Sequence, residues 1–197
     1  MVVVKFGGSL MKHAKVLKML RELDESKEIV IVPGGGVFAD AVRSVQKRFK
    51  ISDSAAHDIA ILATEQYGIF LSEVSGMPCS KNLSHKRPFI LLPSEIISSS
   101  PLEKSWRVTS DTIACYTAWL LGEEFIKLSD VNGILIKGKP VKEIEAEKLI
   151  NLKTCIDDAL PQFLMEKNIN CRVASGKNIY NIKKALKGKA GTLIRWR

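Results

Sequence analysis

A chain of 197 residues, 46% hydrophobic and 26% charged, has the length of one well-buried domain and the composition of a folded globular protein, which excludes a disordered one. Its formal charge of +9 raises nucleic acid as a partner, yet the basic residues are spread along the chain and aromatic residues are only 7%, so no stacking platform or basic stripe emerges. No apolar stretch reaches the roughly 18–20 residues of a membrane helix, and the start MVVVKFGGSL lacks the pattern of a secretory signal, so the expected setting is the cytoplasm with no membrane partner.

In chain order, residues 2–6 form a short β-branched apolar run, predicted as a buried strand and broken by Gly7, Gly8 and Ser9. Residues 14–23 carry Val16, Leu17, Leu20 and Leu23 at helical spacing. Residues 28–32 repeat the strand pattern and end at Pro33 and three glycines, Gly34, Gly35 and Gly36; residues 37–49 are again helical. A strand, a glycine turn and a helix, occurring twice, predict a mainly parallel sheet covered by helices.

Residues 57–74 predict a long helix, 76–87 a loop, 89–93 a strand and 112–121 a buried helix. Ser110 or Thr109 is placed to cap that last helix, with Asp111 in its first turn. A strand at 124–128 leads into the turn Ser129-Asp130-Val131-Asn132-Gly133. Residues 151–167 are expected to be helical, with Pro161 as a break, followed by a strand at 171–174, a helix at 178–186 and a strand at 193–196. The stretches 47–50 and 183–189 read as solvated helix faces, and the whole of 1–197 as one domain. Four cysteines (Cys79, Cys115, Cys155, Cys171) and three histidines (His13, His57, His85) are scattered without the clustering of a zinc site, so no protein-held metal is expected.

The glycine turns carry the chemistry because each directly follows a strand. Phosphate binding needs close backbone N–H groups, which a Cβ obstructs, and a helix N-terminus adds partial positive charge. Lys5 places a full charge beside Gly7 and Gly8, suited to neutralising transferred phosphoryl oxygens. Either turn alone is equally well a tight loop, and neither matches GxGxxG or GxxxxGK[ST].

Taken together, Val4-Lys5-Phe6-Gly7-Gly8-Ser9, Pro33-Gly34-Gly35-Gly36, Thr109-Ser110-Asp111-Thr112, Ser129-Asp130-Val131-Asn132-Gly133 and Gly191-Thr192-Leu193-Ile194 resemble, in order and spacing, the amino acid kinase family. Within it, the short length and the segments 91–94 and 105–111 look most like an archaeal branch that phosphorylates an aminomethylfuran-methyl phosphate in methanofuran biosynthesis. The resemblance implies a three-layer αβα sandwich around a central mainly parallel sheet and an ATP-dependent kinase acting on a small anionic acceptor. It implies Mg²⁺ arriving with ATP and assembly as a homo-oligomer.

By the same resemblance, Lys5, Gly7, Gly8 and Ser9 hold the ATP phosphates, and Asp111 orients the lysine. Gly34, Gly35, Gly36 and Ser110 face the acceptor, and Ser129, Asp130, Val131 and Gly133 border the nucleotide. Simpler readings stand beside these: helix capping for Asp111, a β-turn for Asp130, and loop packing for Trp106 instead of stacking on a flat acceptor. Lys127 and Lys139 read by default as surface lysines. Carboxylate kinases of the family usually carry a second catalytic lysine late in the chain. Residues 156–163 contain none, which leaves Lys127 or Arg107 as substitutes and favours a phosphate acceptor.

Overall fold

The computed structural model describes residues 1–23 and 28–197. The first half runs β1 (Val2–Phe6), a 3₁₀ segment (Gly8–His13), α1 (Val16–Arg21), β2 (Ile29–Pro33), α2 (Gly36–Phe49), α3 (Asp53–Ser75), β3 (Cys79–Ser80), β4 (Phe89–Leu91) and α4 (Ser94–Ser98). The second half runs α5 (Ser110–Leu121), β5 (Glu124–Ser129), the hairpin strands β6 (Leu135–Ile136) and β7 (Lys139–Pro140), β8 (Glu143–Glu145), α6 (Leu160–Lys167), β9 (Cys171–Ser175), α7 (Ile179–Leu186) and β10 (Thr192–Arg195).

Eight strands form one sheet in the order β3-β4-β2-β1-β5-β9-β10-β8, parallel at every pairing except β9 with β10. β1 and β2 are buried at every residue because both of their faces are covered. Alternation along β1 sends Val2, Val4 and Phe6 into a core shared with Leu17 and Leu20 of α1, Tyr67 and Leu71 of α3, and Ile182 of α7. Val3 points the other way, into a core with Ile113 and Ala114 of α5 and Leu164 of α6. One core on each face of the sheet is the three-layer αβα sandwich expected from the sequence.

Several predicted elements shift. Of the helix foreseen at 14–23 only the six residues of α1 are helical, and a 3₁₀ segment at Gly8–His13 precedes them. The loop at 76–87 contains the edge strand β3. Only the last part of 151–167 is helical: α6 starts at Leu160, and Pro161 sits in its first turn, where the missing N–H costs nothing. Pro161 therefore starts the helix instead of breaking it.

Candidate active site

β1 lies between β2, which follows it, and β5, which the chain reaches after building out to β3. Strand order thus reverses at β1, and the crevice outside the carboxyl ends of β1, β2 and β5 is where an open α/β sheet accepts ligands. The two glycine turns meet there. Gly7 N–H donates to Leu128 O (3.0 Å) and Gly34 N–H to Phe6 O (2.9 Å), which ties both turns to neighbouring strand ends. A Cβ on Gly8 would stand 2.3 Å from Gly36 N and 2.4 Å from Gly36 Cα, so the turns can touch only as glycines. Gly36 itself has φ +53°, a left-handed turn into α2.

Register places the cations. Lys5 of β1 pairs with Lys127 of β5. Both alternate onto the face that bears Val3 and Phe125, toward α5, and both are buried at 7% and 3% exposure. Asp111, in the first turn of α5, bridges them: Oδ1 lies 2.8 Å from Lys5 Nζ, and Oδ2 accepts from Lys127 Nζ. The Lys5 ammonium also lies beside the first glycine turn, 3.7 Å from where a Cβ of Gly7 would stand.

Burial alone would raise the Asp111 carboxyl, but the two ammoniums outweigh it and hold it down at about 2. For Lys5, burial and the like charge of Lys127 outweigh Asp111, and its ammonium loses its proton below the usual lysine range. For Lys127 burial pulls the same way, but Asp111 prevails and holds the proton above that range. The surface reading of Lys127 is therefore overturned. It is bonded to the same carboxylate as Lys5, whereas Arg107 is exposed and pairs with Glu103 at 3.6 Å.

The capping expectation for α5 also changes. Neither Ser110 nor Thr109 caps it with its side chain. Asp157, 45 residues later, does so: Oδ2 accepts from the N–H groups of Thr109 (2.9 Å) and Thr112 (3.0 Å). The Asp157 N–H donates in turn to Asp111 Oδ2 at 3.1 Å, and the carbonyl of Cys155 accepts from Lys127 Nζ. Thus the stretch expected to be helix is a loop that folds over the charged cluster, its backbone groups bonded there and not within a helix.

A cleft of about 600 Å³ opens above the cluster, and its walls include Lys5, Gly8, Ser9, Gly35, Gly36, Trp106, Ser110 and Asp111 among the residues singled out from sequence, with Lys127 and Asp157 besides. Gly7 and Gly34 are not among these walls. Trp106 borders it with Arg43 stacked 4.4 Å from its ring centre and its indole N–H donated to Gln46.

Ser129, Asp130, Val131 and Gly133 lie beyond these walls, at the end of β5. Burial opposes the Asp130 charge, but hydrogen bonds from Ser9 and Ser129 together prevail and lower its carboxyl, which joins this turn to the first glycine turn. Gly133 packs on the start of β10, where a Cβ would stand 2.5 Å from Thr192 Oγ1. Lys139 stays exposed on the β6–β7 hairpin.

The sequence pattern of the Amino acid kinase family matches residues 1–77 and 71–175. A Methanocaldococcus jannaschii protein named [5-(aminomethyl)furan-3-yl]methyl phosphate kinase is 35% identical over 96% of this chain and 94% of its own. Among solved structures, uridylate kinase from Archaeoglobus fulgidus superposes with a TM-score of 0.75 at 21% identity, covering 98% of this chain and 99% of that one. UMP kinase from Bacillus anthracis does so with a TM-score of 0.72 at 16% identity, over 98% and 95%. The sandwich is thus the fold of these kinases, and on the sequence match the chain belongs to the amino acid kinase family and is a kinase.

Proposed function

We propose that this kinase transfers the γ-phosphoryl group of ATP to the phosphate of an aminomethylfuran-methyl phosphate, giving the diphosphate. The observation that carries the chemistry is the buried Lys5–Asp111–Lys127 bridge at the meeting point of the two glycine turns. The furan acceptor is favoured by the Methanocaldococcus relative, whose 35% identity exceeds the 15–21% of the UMP kinases.

An acceptor phosphate oxygen attacks Pγ as the bond to the β–γ bridging oxygen breaks and ADP leaves. The nucleophile is already an anion, so no general base is required. The remaining obstacle is negative charge meeting negative charge, and positioned cations and backbone N–H groups remove it. Lys5 and Lys127 approach from adjacent strands, and Asp111 fixes where their ammoniums point. Mg²⁺ supplies charge neutralisation when it comes with ATP. An ion of this kind is commonly held largely by phosphates and water.

ADP release measured with Mg²⁺-ATP and parallel acceptors tests the reading. Turnover is expected with the furan phosphate and not with UMP, isopentenyl phosphate or a carboxylate. Turnover with UMP alone would keep the chemistry and replace the substrate; ATP binding with no turnover on any acceptor would make the chain a nucleotide-binding protein instead.

The contact between the turns gives a second test. Gly8→Ala is expected to lower kcat/KM for ATP by roughly 100-fold, since displacing a positioning backbone by ~1 Å can cost that much. A value within threefold of wild type would show that the turns need not touch.

A further inference from the structure

We propose that Asp157 is the positioning residue of this site: it latches the loop 154–158 onto the first turn of α5, and through that loop fixes Asp111 and Lys127. The inference rests on the kinase reading above for its effect on turnover, but not for its effect on the lysines.

Five donors converge on this one carboxylate. Oδ2 accepts from Thr109 N–H (2.9 Å), Thr109 Oγ1 (2.9 Å) and Thr112 N–H (3.0 Å), while Oδ1 accepts from Thr112 Oγ1 (2.6 Å) and Leu160 N–H (2.9 Å). The ionised side chain, an acceptor only, suits N–H donors on both oxygens. It therefore joins the start of α5 to the start of α6. The backbone of the same loop contacts the reactive cluster at two points, Asp157 N–H on Asp111 and Cys155 C=O on Lys127. If the latch is released, Asp111 loses a donor and Lys127 an acceptor together.

Charge adds a second consequence. Facing Asp157 are Lys5 from β1, Lys127 from β5, and Asp111 and Cys115 from α5; in its own loop are Cys155 and the exposed Asp158. With Asp157 ionised, the two lysines and two aspartates balance. Burial and the Asp111 charge push the Asp157 carboxyl up, and the donors from Thr112 and Thr109 oppose them. Its charge in turn supports the protonated form of both lysines. A residue that merely held two helices together would leave lysine titration unchanged.

The experiment uses the full-length protein with ¹³Cε-labelled lysine. Nζ titrations are followed by NMR in wild type and Asp157→Asn, and kcat is measured across the same pH range with Mg²⁺-ATP and the accepted phosphate. Both lysine midpoints are expected to move to lower pH in the variant, the alkaline limb of kcat to move with them, and kcat near neutrality to fall about 10–100-fold. Asp157→Glu, which keeps the charge, is expected to hold the midpoints near wild type.

Unmoved midpoints in a folded Asp157→Asn protein would overturn the proposal, even if thermal stability fell. If that variant does not fold, Asp157→Ser, which removes the charge but retains a hydroxyl acceptor, gives the same reading. Shifted midpoints in a protein that turns over no acceptor would uphold the role of Asp157 in the cluster and overturn the kinase chemistry.

Discussion

Replacing Lys5 by alanine is expected to lower kcat by about 10³-fold or more, the range seen when one preorganised charge is removed from a phosphoryl or acyl transition state. The fold should survive. Lys5 is a group for which burial outweighs the attraction of Asp111, so its removal relieves a desolvation cost while Asp111 keeps Lys127 as a counter-ion. Circular dichroism and thermal melting would check the second half of the expectation, and single-turnover ADP formation the first. A Lys5→Ala protein with kcat within tenfold of wild type would remove the cluster from the chemistry.

Asp111→Asn should behave differently, because it destabilises as well as inactivates. The amide leaves two buried ammoniums on adjacent strands with no carboxylate between them. Removing one partner of a buried charge group costs about 3–5 kcal/mol, roughly 10 °C in Tm for a chain of this size. The double variant Asp111→Asn with Lys127→Met is expected to regain most of that stability, since the excess charge leaves with its partner, and to regain no turnover. Denaturant midpoints and kcat for the three proteins separate the two effects. A single variant that stayed within 1 kcal/mol of wild type would show that Asp111 is not the counter-ion of the pair.

The acid limb gives the sign of the same interaction. The Asp111 carboxyl is held below its ordinary 3.8, at about 2, so its contribution is fully present above pH 3.8 and is lost as pH falls through about 2. By linkage this is on the order of 2 kcal/mol, and Asp111→Asn should flatten the corresponding part of the stability–pH curve.

The parts of this site that could be read from sequence are those encoded by neighbours along the chain. β1 and β2 are contiguous β-branched runs, the glycine turns end them abruptly, and α2 and α5 carry their apolar residues at helical spacing. Lys127 could not be found this way. A lysine within a strand reads as a solvent-facing position, and only its pairing with Lys5, 122 residues earlier, puts it under α5. Asp157 was hidden for a similar reason: a helix cap supplied from 45 residues away leaves no local signature at Thr109 or Ser110. The stretch before Leu160 looked helical from its composition, but its backbone groups bind Asp111 and Lys127 instead. Strands of two or three residues such as β6, β7 and β8 are shorter than any period that could announce them.

The alignment of Lys5 with Lys127 gives the active site a reading frame. Because side chains alternate along a strand, a one-residue slip of β1 against β5 would carry the Lys5 ammonium through the sheet to the side of Leu17 and Tyr67, away from Asp111. A slip of two would restore the side but separate the two cations by a further ~7 Å along the strand. Inside these two strands the residue count is itself part of the chemistry.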